Sequence, residues 1–289
     1  MAKFTIEEFR KAYPSDAACL DKVFKMRYGS VTECPKCNRE TQFRRISTRR
    51  CYQCRLCYAQ FYPTAGTIFE KSRVSLQDWF YIIYLFASTR NGVSSKEIER
   101  ILGVTYKCAF RMGHQIRKLL ETVPAEKLTG VVEMDETYIG GKQINVTGRT
   151  LGQKKPVFGM VERLGNVRAY HVPDVKKSTI MPIVHEQVDK KASVNTDDYP
   201  LYTNLPKEGF KLHSAINHTL KRYRDGATST NTIEGYFGQL KRMINGTHIH
   251  VSDKYLQAYI VESCFRYNHR SYPTEMFNLM IGQIKPIGF

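Results

Sequence analysis

Two short cysteine pairs constrain this chain more than any other feature. Cys34-Pro-Lys-Cys37 and Cys54-Arg-Leu-Cys57 repeat a C-x2-C spacing with sixteen residues between them. Each pair can form a tight knuckle. Four thiolates so spaced can close a tetrahedral Zn(II) site, replacing the apolar core that about forty residues cannot build. Four sulfur ligands leave no open coordination position, so such a zinc is structural. Cys51-Tyr-Gln-Cys54 is also C-x2-C, and the spacing alone leaves open whether Cys51 takes a ligand's place. Cys19, Cys108 and Cys264 fall on helical segments and read as buried thiols.

A cysteine cluster of this kind belongs in a reducing compartment. The N-terminal MAKFTIEEFRKAYPSD has no apolar stretch like that of a signal peptide, and no run of about 18 apolar residues could span a membrane. The expected location is the cytoplasm. The 44 Lys+Arg against 27 Asp+Glu leave a formal charge of +17. A protein so basic repels itself unless it meets a polyanion, which makes nucleic acid the leading partner and an anionic membrane surface the plainer alternative.

The 289 residues exceed one compact domain. Residues 1–30 read as an N-terminal helical segment, and 31–68, rich in Cys, Arg and Tyr with short alternating runs, as small strands around a metal. Residues 69–120 change to a helical period, and 121–130 form a linker broken by Pro124 and Gly130. From 131 to 289 the texture is mixed. VVEMDETYI, VFGMVERLG and VRAYHVPD read as strands, the last two joined by a turn near Gly165–Asn166. STIMPIVHEQVDK reads as a helix, ASVNTD as a strand, and TNTIEGYFGQLKRMIN and DKYLQAYIVESCFRYNHR as helices. The fold class expected is multidomain α+β, ending in an α/β domain with helices on a sheet.

Within 69–120, Ser94-Ser95-Lys96-Glu97 has the form of a helix start and Gly103 that of a helix end. Val104-Thr105 then begins a second helix carrying Lys107, Arg111, His114 and Arg117. A basic second helix of this kind is what a helix-turn-helix needs to enter the major groove, although helical hairpins are common.

Three carboxylates stand out. Asp135 lies inside an apolar strand and shares one face with Glu133 and Thr137. A carboxylate there is costly unless metal or hydrogen bonds compensate it. Asp197 ends another strand, where α/β domains place their chemistry. Glu234 and Lys241 project from one side of a helix whose core stripe is Ile233, Phe237, Leu240 and Ile244, with Gly238 leaving that side open. The arrangement would let the carboxylate reach a metal and the lysine a phosphate. Singly, each acid reads as an ordinary surface or capping group. Together they suit divalent-ion chemistry on a phosphodiester, with Mg(II) as the hard cation that prefers oxygen.

The pieces VEMDETYIGGK, NTDDYPLY and NTIEGYFGQLKR…GTHIHVS…FRYNHR, behind CPKC, YQCRLCYAQFYPTAGTIF and SLQDWFYIIYLF, resemble bacterial insertion-sequence DDE transposases with an N-terminal zinc ribbon, relatives of the eukaryotic Merlin elements. The resemblance runs from about Glu33 to Arg270, with the motifs in the family's order. It implies a ribonuclease-H-like, retroviral-integrase-like catalytic domain behind the zinc ribbon and helix-turn-helix. It implies Asp135, Asp197 and Glu234 as catalytic Mg(II) ligands, two ions with Mn(II) as a substitute, and Lys241 as the lysine seven positions on. It also implies Cys34, Cys37, Cys54 and Cys57 as zinc ligands, with Cys51 spare. Where many relatives carry a histidine before the glutamate motif this chain has Ser229, and His248 and His250 fall in a motif whose default reading is structural.

The function expected is recognition of terminal inverted repeats through about the first 120 residues, then Mg-dependent strand cleavage and transfer into target DNA. Lys241 and Arg242 would add DNA contacts to those of Lys107, Arg111, His114 and Arg117. Paired ends imply a homodimer or larger assembly on DNA, associated with the nucleoid when bound. The rivals are a non-catalytic or domesticated DNA-binding regulator, a structure-specific nuclease of the same fold and, more distantly, a zinc-ribbon RNA-processing factor.

Overall fold

The structure is a computed structural model, and it describes residues 4–29, 31–121, 126–140, 154–216 and 229–284. Pro124, the expected linker breaker, lies outside the described residues. The chain divides into two compact units, Met1–Leu120 with Tyr272–Phe289, and Glu121–Ser271.

The first unit opens with α1 (Ile6–Ala12) and α2 (Asp16–Tyr28), continues through the ribbon strands β1 (Phe43–Ile46), β2 (Cys51–Cys54) and β3 (Gln60–Phe61), and then forms α3 (Leu76–Ser88), α4 (Ser95–Leu102) and α5 (Tyr106–Lys118). The second unit holds β4 (Val131–Ile139), β5 (Lys155–Glu162), β6 (Val167–His171), α6 (Lys177–Gln187), β7 (Ser193–Asp197), β8 (His213–Ile216), α7 (Asn231–Arg242) and α8 (Asp253–Asn268). The chain then returns to the first unit as α9 (Met276–Gly282).

Helix starts follow from capping chemistry. Thr5 and Glu8 form a capping box at α1, Ser94 and Glu97 form another at α4, and the hydroxyls of Ser15, Ser75 and Thr105 cap α2, α3 and α5. The apolar α3 buries Leu76, Trp79, Phe80, Ile82, Ile83 and Phe86. A helix apolar on so many sides needs cover, and α9 supplies part of it. The Phe277 ring meets Phe9, Tyr13 and Phe80. The sequence reading attached this stretch to the domain beginning at 131. Its aromatic packing instead places it with the first unit.

The second unit is a mixed α/β layer structure around a five-stranded sheet of order β6-β5-β4-β7-β8. Central β4 runs antiparallel to β5 and parallel to β7, while β8 extends the parallel edge. Strand alternation divides the core between two faces. On one side, Met134, Phe158, Met160 and Val194 pack with Ile180 and Val184 of α6. On the other, Val157 and Val161 pack with Ile233, Phe237 and Leu240 of α7 and Leu256 and Ile260 of α8. The β5–β6 turn forms at the expected place, with Leu164 at positive φ and Glu162 N–H bonded to the Asn166 carbonyl at 2.9 Å.

Candidate functional site

In the ribbon, Cys34, Cys37, Cys54 and Cys57 bring their sulfurs within 4.8 Å of one another. Two knuckles of the same geometry place them. Asn38 N–H donates to the Cys34 carbonyl at 2.8 Å and Tyr58 N–H to the Cys54 carbonyl at 3.2 Å, and both Asn38 and Tyr58 take positive φ, which turns each loop back on its pair. Backbone N–H groups point at the sulfurs, from Lys36 to Cys34 at 3.4 Å and from Leu56 to Cys54 at 3.3 Å. The Cys34–Cys57 sulfur separation is 3.6 Å, against about 3.8 Å for tetrahedral sulfurs on zinc.

The chemistry of the donors fits a cation. Burial and the neighbouring sulfurs push the Cys37 thiol up to about 12. Cys54 is also penalised by burial, but the N–H groups of Cys57 and Leu56 and the Thr41 hydroxyl bring it down to about 6. Thiols this close do not all ionise unless a cation shares their charge, and structural zinc suits the set. Cys51 lies outside the cluster, buried on β2.

On α5, Lys107 and Arg111 are exposed and His114 is half-buried against Phe110. Arg117, expected beside them, is 1% exposed, with its guanidinium over the Phe86 ring at 5.3 Å. It sits on the inward side of the helix. The helical period explains this. Ten residues from Lys107 rotate by about 280°, whereas eleven return to within about 20°. The exposed cation on that face is therefore Lys118.

Two of the carboxylates, Asp135 and Asp197, lie on the α7 side of the five-stranded sheet. Val132 and Met134 face α6, so Glu133, Asp135 and Thr137 face α7. The parallel register pairs Glu133 with Asn195, and two further residues bring Asp135 level with Asp197, the last residue of β7. Gly159, opposite Asp135, lets α7 approach: a Cβ there would stand 2.8 Å from the Phe237 ring and 3.0 Å from Ile233. Glu234 and Lys241 lie on the exposed side of α7, and the expected stripe of Ile233, Phe237, Leu240 and Ile244 is buried, joined by Tyr236.

Electrostatics couples these groups. The Asp135 carboxyl is raised to about 7, by burial first and by Asp197 and Glu234 after it, against the opposing Glu136 N–H and Lys241. Asp135 accepts that N–H at 2.7 Å, Asp197 accepts the Tyr199 N–H at 3.1 Å, and Glu234 accepts the Thr230 hydroxyl at 2.9 Å. Among the described residues the four cysteines are the group whose ligand atoms are gathered tightly, and the three acids are not drawn together in that way. Asp135 and Asp197 still share one sheet face, and the repulsion that Asp197 and Glu234 exert on Asp135 is one that a hard divalent cation would relieve.

Two further acids belong to this neighbourhood. Glu133 is fully buried and accepts the backbone N–H groups of Thr232 and Ile233, the Thr232 hydroxyl and Nε of Arg163. Arg163 also donates to the Ser229 hydroxyl at 2.6 Å, so Ser229 forms part of this clamp. Glu136, on the opposite face, receives the buried Tyr202 hydroxyl. Burial, then Asp135 and Asp197, raises its carboxyl to about 7. The signal for both was the one that exposed Asp135, an acid inside an apolar strand. Their partners were not visible, because they lie far away in the sequence.

Residues 127–268 match the family model of the ISXO2-like transposase domain, a span that includes Asp135, Asp197, Glu234 and Lys241. Residues 14–60 match the transposase zinc-ribbon domain, which takes in the four cysteines and also α2, whose Phe24 stacks on Tyr52. The chain is similar to an uncharacterized protein in transposable element ISH50 of Halobacterium salinarum, 26% identical over 270 residues that cover 86% of this chain and 90% of the relative.

Proposed function

On the premise that the chain belongs with the insertion-sequence transposases that join a zinc ribbon to an ISXO2-like domain, we propose that it binds the terminal inverted repeats of its element, cleaves a DNA strand there and joins the freed 3′-hydroxyl to target DNA. The observation that carries this reading is the placement of Asp135 and Asp197 on the sheet face covered by α7, with Glu234 and Lys241 in electrostatic reach of Asp135. A mixed five-stranded sheet with helices on both faces supports a ribonuclease-H-like assignment. Successive capped helices α4 and α5, the second carrying exposed Lys107 and Arg111, support a helix-turn-helix.

Asp135, Asp197 and Glu234 are the residues that would hold Mg(II), two ions in this reading, with Mn(II) as a substitute. Bound there, the ions would activate an attacking oxygen and stabilise the leaving one. The protein's own part is positional. Glu133 and Arg163 fix the start of α7, and with it the place of Glu234. Lys241, nearly two turns along, presents an ammonium to the backbone phosphate beside the cleaved bond, with Arg242 next to it. Lys107, Arg111 and His114 would hold the repeat. Two ends must be joined together, so the acting form is a dimer or larger assembly of the chain on double-stranded DNA.

The test is a strand-transfer assay on duplex taken from the DNA flanking the coding region. Wild-type protein should yield joined products with Mg(II), and Asp135→Ala should yield none. Joined products from Asp135→Ala would overturn the assignment. Nicks without joined products would indicate a nuclease, and binding without cleavage a regulator.

A further inference from the structure

The His248-Ile249-His250 stretch has no part in the chemistry above, yet its backbone is unusual. After α7 the chain passes through a π-helical turn, Met243–His248, and reaches Ile249 at φ 63° and ψ −56°. His250 N–H donates to the His248 carbonyl at 2.6 Å, which closes a three-residue γ-turn of the strained hand. Asn38, Tyr58, Lys71 and Leu164 also have positive φ, but among these described residues Ile249 alone is β-branched. Branching at Cβ makes this backbone region especially unfavourable. Backbone strain of this kind persists only where its surroundings enforce it, and it concentrates at functional positions.

The side chain obtained at that cost makes little use of the protein, since Ile249 is 81% exposed. Its base is anchored. The His248 ring meets the Tyr259 ring edge-on at 4.6 Å, and the carbonyl of buried Val251 accepts Nζ of Lys155 at 2.7 Å. Lys155 pairs with Ile139, the last residue of β4 and four residues beyond Asp135. Leu164 is also exposed at positive φ, but it tips the β5–β6 turn beside Val132, at the other end of the sheet. The exposed described residues around Ile249 in the chain are polar or basic: Lys241, Arg242, Asn245 and His250. Among the described residues Ile249 is thus a single exposed aliphatic side chain between polar and basic neighbours in the chain. It has the form of the aliphatic wedges that enter duplex DNA between base steps.

We propose that Ile249 is a DNA wedge, inserted against the stacked bases beyond the phosphates that Lys241 and Arg242 hold at the end of α7, and unstacking a base step there. This rests on the transposase reading and adds a base contact to it. Opening a step there would let the strand turn toward Asp135 and Asp197, while Lys241 and Arg242 hold the flanking phosphates.

The experiment mixes full-length protein, without added magnesium, with duplexes from the DNA flanking the coding region that carry 2-aminopurine at successive positions. Wild-type protein should raise fluorescence several-fold at one or two adjacent positions. Ile249→Gly should return the signal to that of duplex alone while melting at or above the wild-type temperature, because glycine takes positive φ without strain. Ile249→Leu should keep the signal. The wedge is overturned if Ile249→Gly fluoresces like wild type, or if wild-type protein binds the duplex without a rise at any position. It is equally overturned if Ile249→Gly changes only self-association, which would make the tip a protein contact. Binding no tighter to flanking than to scrambled duplex would instead remove the transposase reading, and the wedge with it.

Discussion

The buried carboxylate of Glu133 accepts the backbone N–H of Thr232 at 2.7 Å, so a strand side chain caps the helix that carries Glu234. Thr230, at the N-cap position, makes no side-chain capping bond of its own. Glu133 takes over that role across 99 residues and accepts the Ile233 N–H at 3.1 Å as well. A carboxylate at a helix N-terminus is favoured by the helix dipole, and a buried one is tolerable only when its oxygens are satisfied. Arg163 completes the set with a 2.7 Å bond from Nε. The strand holding Asp135 and the helix holding Glu234 are therefore tied at one point.

Breaking that tie should be costly. Glu133→Ala leaves the α7 N–H groups without their acceptor and Arg163 without its carboxylate, and a loss of about 3–5 kcal/mol is expected for removing one partner of a buried ion pair. Glu133→Gln retains an acceptor and should lose less. In a double-mutant cycle with Arg163→Ala, followed by thermal unfolding, the coupling should exceed about 1 kcal/mol. Additive losses would mean that the two residues stabilise the fold separately.

The ribbon should depend on metal in a residue-specific way. Cys34→Ser, Cys37→Ser, Cys54→Ser and Cys57→Ser each remove a sulfur from the cluster and should release zinc, because a four-ligand structural site has none to spare. Cys51→Ser should retain one zinc per chain, since its thiol lies outside the cluster. Zinc content by atomic absorption separates the two outcomes. Loss of zinc from Cys51→Ser with retention in Cys54→Ser would reverse the ligand choice that the sequence spacing left open.

Legibility in the sequence followed the range of the interactions. The knuckles were readable because both ligands of each pair are three residues apart, and α4 because Ser94 and Glu97 announce its start. The faces of Asp135 and Glu234 followed from strand and helix periods. The partners of Glu133 were not readable, because Arg163 and Thr232 are 30 and 99 residues away. β8 is four residues whose strand character comes from the open parallel edge of β7, and α9 is seven residues made legible by packing on α3. Arg117 was misplaced by counting basic residues without following the helical angle.

That misplacement leads to a contrast on α5. Lys107→Ala and Arg111→Ala should weaken duplex binding and lower the slope of log affinity against log salt by about 1 each, as expected when one phosphate contact is removed. Arg117→Ala should leave the slope unchanged and lower the melting temperature, because it removes a buried guanidinium packed on Phe86. Fluorescence anisotropy across a salt series reads both effects. A reduced salt slope for Arg117→Ala in a stably folded protein would return that residue to the DNA face.

The raised carboxyls of β4 should make stability depend on pH with a definite sign. Burial, with smaller contributions from neighbouring acids, raises Asp135 and Glu136 to about 7. Their unfolded values lie near about 4. Between those values the folded chain binds more protons than the unfolded chain, so stability falls as pH rises through the window. Without added divalent cation, the melting temperature should therefore decline from about pH 5.5 to about pH 8. On the proposed reading Mg(II) would bind deprotonated Asp135 and compete with its proton, so it should raise the melting temperature at the higher pH and have little effect at the lower. Asp135→Asn should flatten the decline and remove most of the Mg(II) response. An equal Mg(II) effect at both pH values, or an undiminished one in Asp135→Asn, would show that the cation acts away from these carboxylates.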